Sequence, residues 1–171
     1  MYFVLCPTKK SLSLLQDYID TYLIKVENNI KLFGEQLIVN KDEEILAKEY
    51  YLLINAIDQD INQISDFVHG HQGIFIPAHI DRPAFSLLGQ LCFIPPDLIC
   101  DGFELWKTDS NEMTTQFPYL KYKSFIRSSD AHFINDIGTK STEFLLKEPS
   151  FYEIKLALHQ QMGRSCKIAE S

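Results

Sequence analysis

Several things are scarce in this chain, and each scarcity excludes something. Its four cysteines, Cys6, Cys92, Cys100 and Cys166, are scattered, with no C-x-x-C pair. That argues against a zinc–thiolate site and for reduced, half-buried thiols. No apolar run approaches the roughly 18–20 residues of a membrane span. Met1 to Leu5 is too short for a signal h-region and has no basic lead-in, so a cytoplasmic location without membrane partners is the default expectation. There is no P-loop, no G-x-S-x-G and no dinucleotide fingerprint. Basic residues are outnumbered, 16 Lys and Arg against 23 Asp and Glu, for a formal charge of −7. That argues against a broad nucleic-acid-binding surface and leaves room only for a local basic patch. Lys9-Lys10 is too short a basic run to carry meaning.

What remains is a chain of 171 residues, 46% hydrophobic, enough for one domain over 1–171 with a substantial core. Tyr2 to Cys6 reads as a short strand stopped by Pro7. Ser11 to about Asn29 reads as an amphipathic helix with Leu12, Leu15, Ile19, Leu23 and Val26 on one face. Gln36 to Val39 and Glu44 to Ala47 flank Asn40-Lys41-Asp42 as a candidate hairpin. The spacing predicts helix over Tyr50 to Ile57 and again after Asp60, with Ile61, Ile64, Phe67 and Val68 facing inward and Gly73 past the end. Further strands are expected at Ile74–Ile76, Gly102–Trp106 and Ser124–Arg127, and a short helix at Phe85–Leu91. Ser150-Phe151-Tyr152-Glu153 matches a capping box opening a last helix to about Gln160. Strands alternating with helices predict an α/β architecture with parallel strands.

Two strings carry the chemistry. Ile74-Phe75-Ile76-Pro77-Ala78-His79 and Ile126-Arg127-Ser128-Ser129-Asp130-Ala131-His132 are apolar runs that end in potential metal ligands. Parallel α/β barrels deliver ligands to their C-terminal face in this way. The spacing of two in Asp130-Ala131-His132 places a carboxylate and an imidazole on one side of an extended segment, where they could share a divalent ion; the plainer alternative is a polar turn after a strand.

The segments Gly73 to Pro83 and Ile126 to His132, followed by Ile137-Gly138, resemble the PHP (polymerase and histidinol phosphatase) family. Phe85 to Leu91, Phe93-Ile94-Pro95, Phe33 to Leu37 and Glu148 to Phe151 resemble one bacterial branch of it. The resemblance implies a distorted (β/α)7 barrel with up to three divalent metals (manganese, zinc or iron) at the C-terminal strand ends, and hydrolysis of phosphate esters. Some members act on nucleotides or oligonucleotides. Carried over by motif, His79, Asp130 and His132 are metal ligands, with Asp130 and His132 the catalytic pair and Asp130 able to bridge two ions. The family's opening His-x-His is absent here; the other histidines are His69, His71 and His159. Tyr2 stands near where a further His ligand is usual. The resemblance therefore implies the C-terminal part of a barrel with its N-terminal strands missing. Such a piece is expected to form a homo-oligomer or to pair with a separately encoded N-terminal half.

Arg82 and Arg127, beside the ligands, either hold substrate phosphate or pair with carboxylates such as Asp81. Asp81 is either an acceptor behind a liganding imidazole or a loop residue. His69 and His71 are explained better by the helix dipole than by ligation, and His159 is expected to face solvent. Trp106, Tyr119 and Tyr122 either stack on a base or pack. The expected ligand is a phosphorylated small molecule or nucleotide. Two functions stand against each other: a metal-dependent phosphoesterase, incomplete as this chain, and a degenerate relative kept as a binding or assembly module.

Overall fold

A computed structural model describes residues 1–169. In chain order its elements are β1 (Tyr2–Leu5), α1 (Lys9–Tyr22), α2 (Ile30–Phe33), β2 (Leu37–Val39), β3 (Ile45–Lys48), α3 (Ile61–Gly70), β4 (Ile74–Pro77), α4 (Leu87–Leu91), β5 (Phe103–Glu104), α5 (Ser110–Gln116), β6 (Phe125–Ile126), β7 (Thr142–Leu145), α6 (Phe151–Leu158) and β8 (Ser165–Ile168). Short 3-10 turns occupy Pro118–Leu120 and Ile134–Asp136. They gather into two compact units, one of Met1–Leu12 with Ile61–Ser171, the other Ser13–Asp60.

In the first unit β4 is buried along its whole length. β1 lies antiparallel on one side of it, Leu5 opposite Ile74 and Tyr2 opposite Pro77. On the other side the main chains of Asp101 and Ile80 donate to Phe75 and Glu104, each at 2.9 Å. That order sets β5 parallel to β4. β5 in turn runs parallel to β6. Thr142 attaches β7 by exchanging 2.8 Å bonds with the main chain of Arg127, and β7 pairs antiparallel with β8. Parallel strands are thus present at the centre, and antiparallel ones flank them. Apolar runs buried on both faces read alike in either direction, so the sequence pattern could not tell these apart. The fold is mixed α/β. Among the described residues the sheets are small and do not close into a barrel.

The core gathers Ile74, Ile76 and Leu158, with Leu5, Ile126, Phe144, Phe151, Ile154 and Cys166 against them. α3 buries Ile64 and Val68, a spacing of four that keeps both on one face. It is followed by a close approach that only glycine permits: a Cβ on Gly73 would stand 2.7 Å from Val68 Cγ1. Ser150 caps α6 by accepting from the Glu153 amide. The other half of the expected box is not made. The Glu153 carboxylate takes the Lys147 amide at 2.7 Å and the Arg164 guanidinium at 2.8 and 3.0 Å. The cysteines are free thiols, and burial pushes Cys100 up to about 11.

At the N-terminal end of β5, Asp101 is a buried carboxylate. It accepts from the Phe75 amide at 2.7 Å, His69 Nε2 at 2.9 Å and His159 Nε2 at 2.7 Å. His159 therefore does not simply face solvent, and His69 does more than meet a helix dipole. Burial alone would raise the Asp101 pKa; the Phe75 amide and the two imidazoles outweigh it and hold the carboxyl below its ordinary value.

In the second unit β2 and β3 form the expected hairpin, Leu37 opposite Lys48, with a bulge after Ile38. Asn40 Oδ1 holds the turn by accepting from the amides of Asp42 and Glu44. The helix expected from Ser11 to Asn29 stops at Tyr22, and Tyr50 to Ile57 is not helical. The two stretches pair instead, through bridges Leu23–Ile57 and Glu27–Tyr51. Gln36 adds side-chain bonds to Tyr51 O and the Leu53 amide. Tertiary pairing here overrides local propensity.

Replacing Asp101 by Ala leaves the Phe75 amide buried without its acceptor. The expected loss is about 3–5 kcal/mol, read from the urea unfolding midpoint. Because the native pKa is depressed, wild-type Asp101 stabilises above the unfolded value of about 3.9 and loses that contribution as pH falls through the lower native value. The acid limb of the stability profile is expected to be shallower in Asp101→Asn.

Candidate functional site

The C-terminal ends of β4, β5 and β6 each empty into a polar residue. Past β4, His79 is 2% exposed and has φ +32°. Past β6, Asp130 has φ +47°. Two non-glycine residues in this region of φ, past the strands on either side of β5, mark a place where packing overrides backbone preference. At the end of β5 the buried Glu104 joins the two neighbours. Its Oε2 accepts from the His79 amide at 2.7 Å, and its Oε1 accepts from Ser128 Oγ.

The imidazole of His79 is the anomaly. Both ring nitrogens are buried, and neither has a hydrogen-bond partner among the described residues. A buried, unsatisfied polar atom costs about 1–3 kcal/mol, and native structures rarely leave one so. Arg82 Nη1 donates to Asp130 Oδ2 at 3.0 Å. His132 Nε2 lies 3.9 Å from Asp130 Oδ1, and its side chain is 74% exposed.

Asp81 serves the loop after β5. Its two oxygens accept from the amides of Trp106, Lys107 and Thr108 at 2.6, 2.9 and 2.7 Å. Asp81 thus holds the loop after β5 through both of its oxygens. Burial works against its ionisation, but the three amides and the Thr108 hydroxyl outweigh this and hold its pKa below the usual value. The same loop is gripped from the other side. Arg127 Nη2 donates to Thr108 O at 2.7 Å and Lys140 Nζ to Trp106 O at 3.2 Å. Lys107 Nζ sits 4.2 Å from the centre of the Trp106 ring, close enough for a cation–π contact.

The structure thus brings Arg82, Asp130 and His132 together, with His79 tied to the same strand ends through Glu104. Among the described residues no three His, Cys, Asp or Glu side chains converge as a metal site. The orphaned imidazole of His79 fits a ligand, but the set does not make a closed centre by itself. Glu104 and Ser128 escaped the sequence reading. The local signal for Glu104 is different from that of His79: it is an isolated carboxylate inside the apolar stretch Phe103 to Trp106.

No known protein family matches the chain. An uncharacterized Bacillus subtilis protein, YqxK, is 33% identical over 97 residues, which is 54% of this chain and 25% of that protein. Two crystal structures of endonuclease Q share the fold. One is the lesion-specific enzyme of Pyrococcus furiosus, with a TM-score of 0.69; the other holds a 27-mer duplex substrate with an abasic lesion at the active site, with a TM-score of 0.70. Each is 19% identical, and the match covers 96% of this chain and 37% of the other. The chain therefore spans a quarter to little more than a third of the proteins it resembles. The likeness shows that the chain shares its α/β fold with these structures.

The expectation against a broad nucleic-acid-binding surface does not stand. It came from the net charge, and a structure of this fold is a complex with a 27-mer duplex substrate. Net charge sums over the whole chain, whereas phosphate contact depends on local cations. Here Lys107, Arg127 and Lys140 stand around one loop, and Arg82 stands beside Asp130. Among the described residues no helix is long and apolar enough to cross a membrane.

Trp106 is the single tryptophan, so its emission reports on this loop. Asp81→Ala is expected to move the emission to longer wavelength, increase acrylamide quenching and cost about 1–3 kcal/mol of stability. In the wild type the same spectral change should follow acidification only below the ordinary carboxylate range of about 4, since the native pKa is depressed. An unchanged spectrum in the variant would refute the anchoring.

Proposed function

We propose that the chain is the C-terminal portion of a PHP-like barrel and contributes to metal-dependent hydrolysis of phosphoesters in nucleic acid. The observation that carries this reading is His79, an imidazole buried at a strand end with both nitrogens unpartnered. A divalent cation of the manganese, zinc or iron kind would engage one of them. His79, Asp130 and His132 supply ligands, and the rest of the donor set comes from outside these three. The bound ion would supply charge for the phosphate oxygens and a nucleophilic water. Glu104 positions His79 through its main chain. Arg82 orients phosphate with the N–H groups not committed to Asp130. Arg127 has one N–H on Thr108 O, so a phosphate contact from it uses its remaining donors.

One observation favours a second reading, a non-catalytic binding or assembly module: no three ligands converge among the described residues. Metal content by mass spectrometry, with the mass in solution, separates the two. The first reading expects bound metal after incubation with manganese, zinc or iron, at least tenfold less in His79→Ala and Asp130→Ala, and cleavage of an abasic duplex lost in His132→Ala. A folded wild type that takes up no metal and cleaves nothing would favour the module.

A further inference from the structure

Directly after His132 the chain makes a braced turn with an apolar tip. Phe133, Ile134 and Ile137 are 77%, 83% and 70% exposed. The turn is not loose. The Phe133 amide donates to Asp136 Oδ2 at 3.1 Å, the Asp136 amide to Phe133 O at 3.0 Å, and Thr139 Oγ1 to Asp136 O at 2.8 Å. Ser129 Oγ closes its base by accepting from the Gly138 amide at 3.0 Å and donating to Lys140 O at 3.1 Å. Main-chain and side-chain bonds thus hold large apolar groups out into solvent, where burial would ordinarily take them.

The surroundings identify the occupant. Asp130 with its Arg82 lies at the base of the turn. Lys140, which closes the turn, reaches Trp106 O, and Lys107 lies over the Trp106 ring. An apolar tip whose base carries Arg82 and Lys140, with Lys107 and the indole joined to Lys140 through Trp106, matches stacked bases between phosphates: cations meet the backbone, and Phe or Ile side chains enter between base steps.

We infer that the Phe133–Ile137 turn is a wedge that enters a nucleic acid beside the phosphoester, unstacking one base step while Lys107 and Lys140 hold the flanking backbone. This rests on the reading of the site as one for nucleic-acid phosphoesters. It adds the element that selects a locally weakened duplex over an intact one, since unstacking is easier next to a lesion.

The test uses the full chain, in chelator to prevent cleavage, with a duplex carrying an abasic site and 2-aminopurine beside it. Wild type is expected to bind in a salt-dependent manner and to raise the 2-aminopurine fluorescence on binding. In the Phe133→Ala/Ile134→Ala double variant the rise should vanish and affinity fall at least tenfold, with Trp106 emission and thermal unfolding unchanged; Phe133→Trp should restore the rise. A double variant that keeps both affinity and signal overturns the wedge and leaves the phosphoesterase reading standing. So does a variant that changes only the mass in solution, which would make the turn a contact between copies. A wild type that binds no duplex overturns both.

Discussion

β4 has no polar side chain between Ile74 and Pro77 and is buried throughout, so its amides and carbonyls must find partners in the fold. β1 supplies them along one edge. Along the other, β5 is only two residues long, and two carboxylates complete what its main chain cannot. Asp101 takes the Phe75 amide at one end, and Glu104 takes the His79 amide at the other. Buried carboxylates are tolerable only when well supplied with donors. Asp101 finds its remaining donors in two histidines, Glu104 in Ser128. One bracket joins α3, β4 and α6; the other fixes the strand ends where the candidate site lies.

This division explains what could be read from the sequence. Ile64 with Val68, the turn around Asn40, the Ser150 cap and the apolar run into His79 are local patterns, and the structure carries them. The strand direction of β1, the roles of Asp101 and Glu104, and the partner of His159 depend on residues far apart in the chain. The same holds where Tyr50–Ile57 gives up helix for pairing with Leu23–Glu27. Asp130 and His132 stand 3.9 Å apart, but Asp130 has φ +47° and not the extended backbone on which the spacing argument rested. That Arg82 would occupy Asp130, and that Asp81 would anchor the Trp106 loop, was not legible in the sequence.

Charge was the least transferable inference. A total of −7 sums over the whole molecule, whereas salt confines the reach of exposed charges to about 10 Å, so the total says little about a loop that collects Lys107, Arg127 and Lys140. Two carboxylates are committed within the fold: Asp81 to the amides of that same loop, and Asp101 to the Phe75 amide and two imidazoles.

The β1–β4 ladder joins two segments with all of Ser13–Asp60 between them. Closing that ring costs chain entropy once, at a rate that grows only logarithmically: doubling its length adds about 0.6 kcal/mol. Residues gained or lost within Ser13–Asp60 therefore change the chain entropy of bringing β1 to β4 only slightly, and length in that stretch is a weak lever on the ladder.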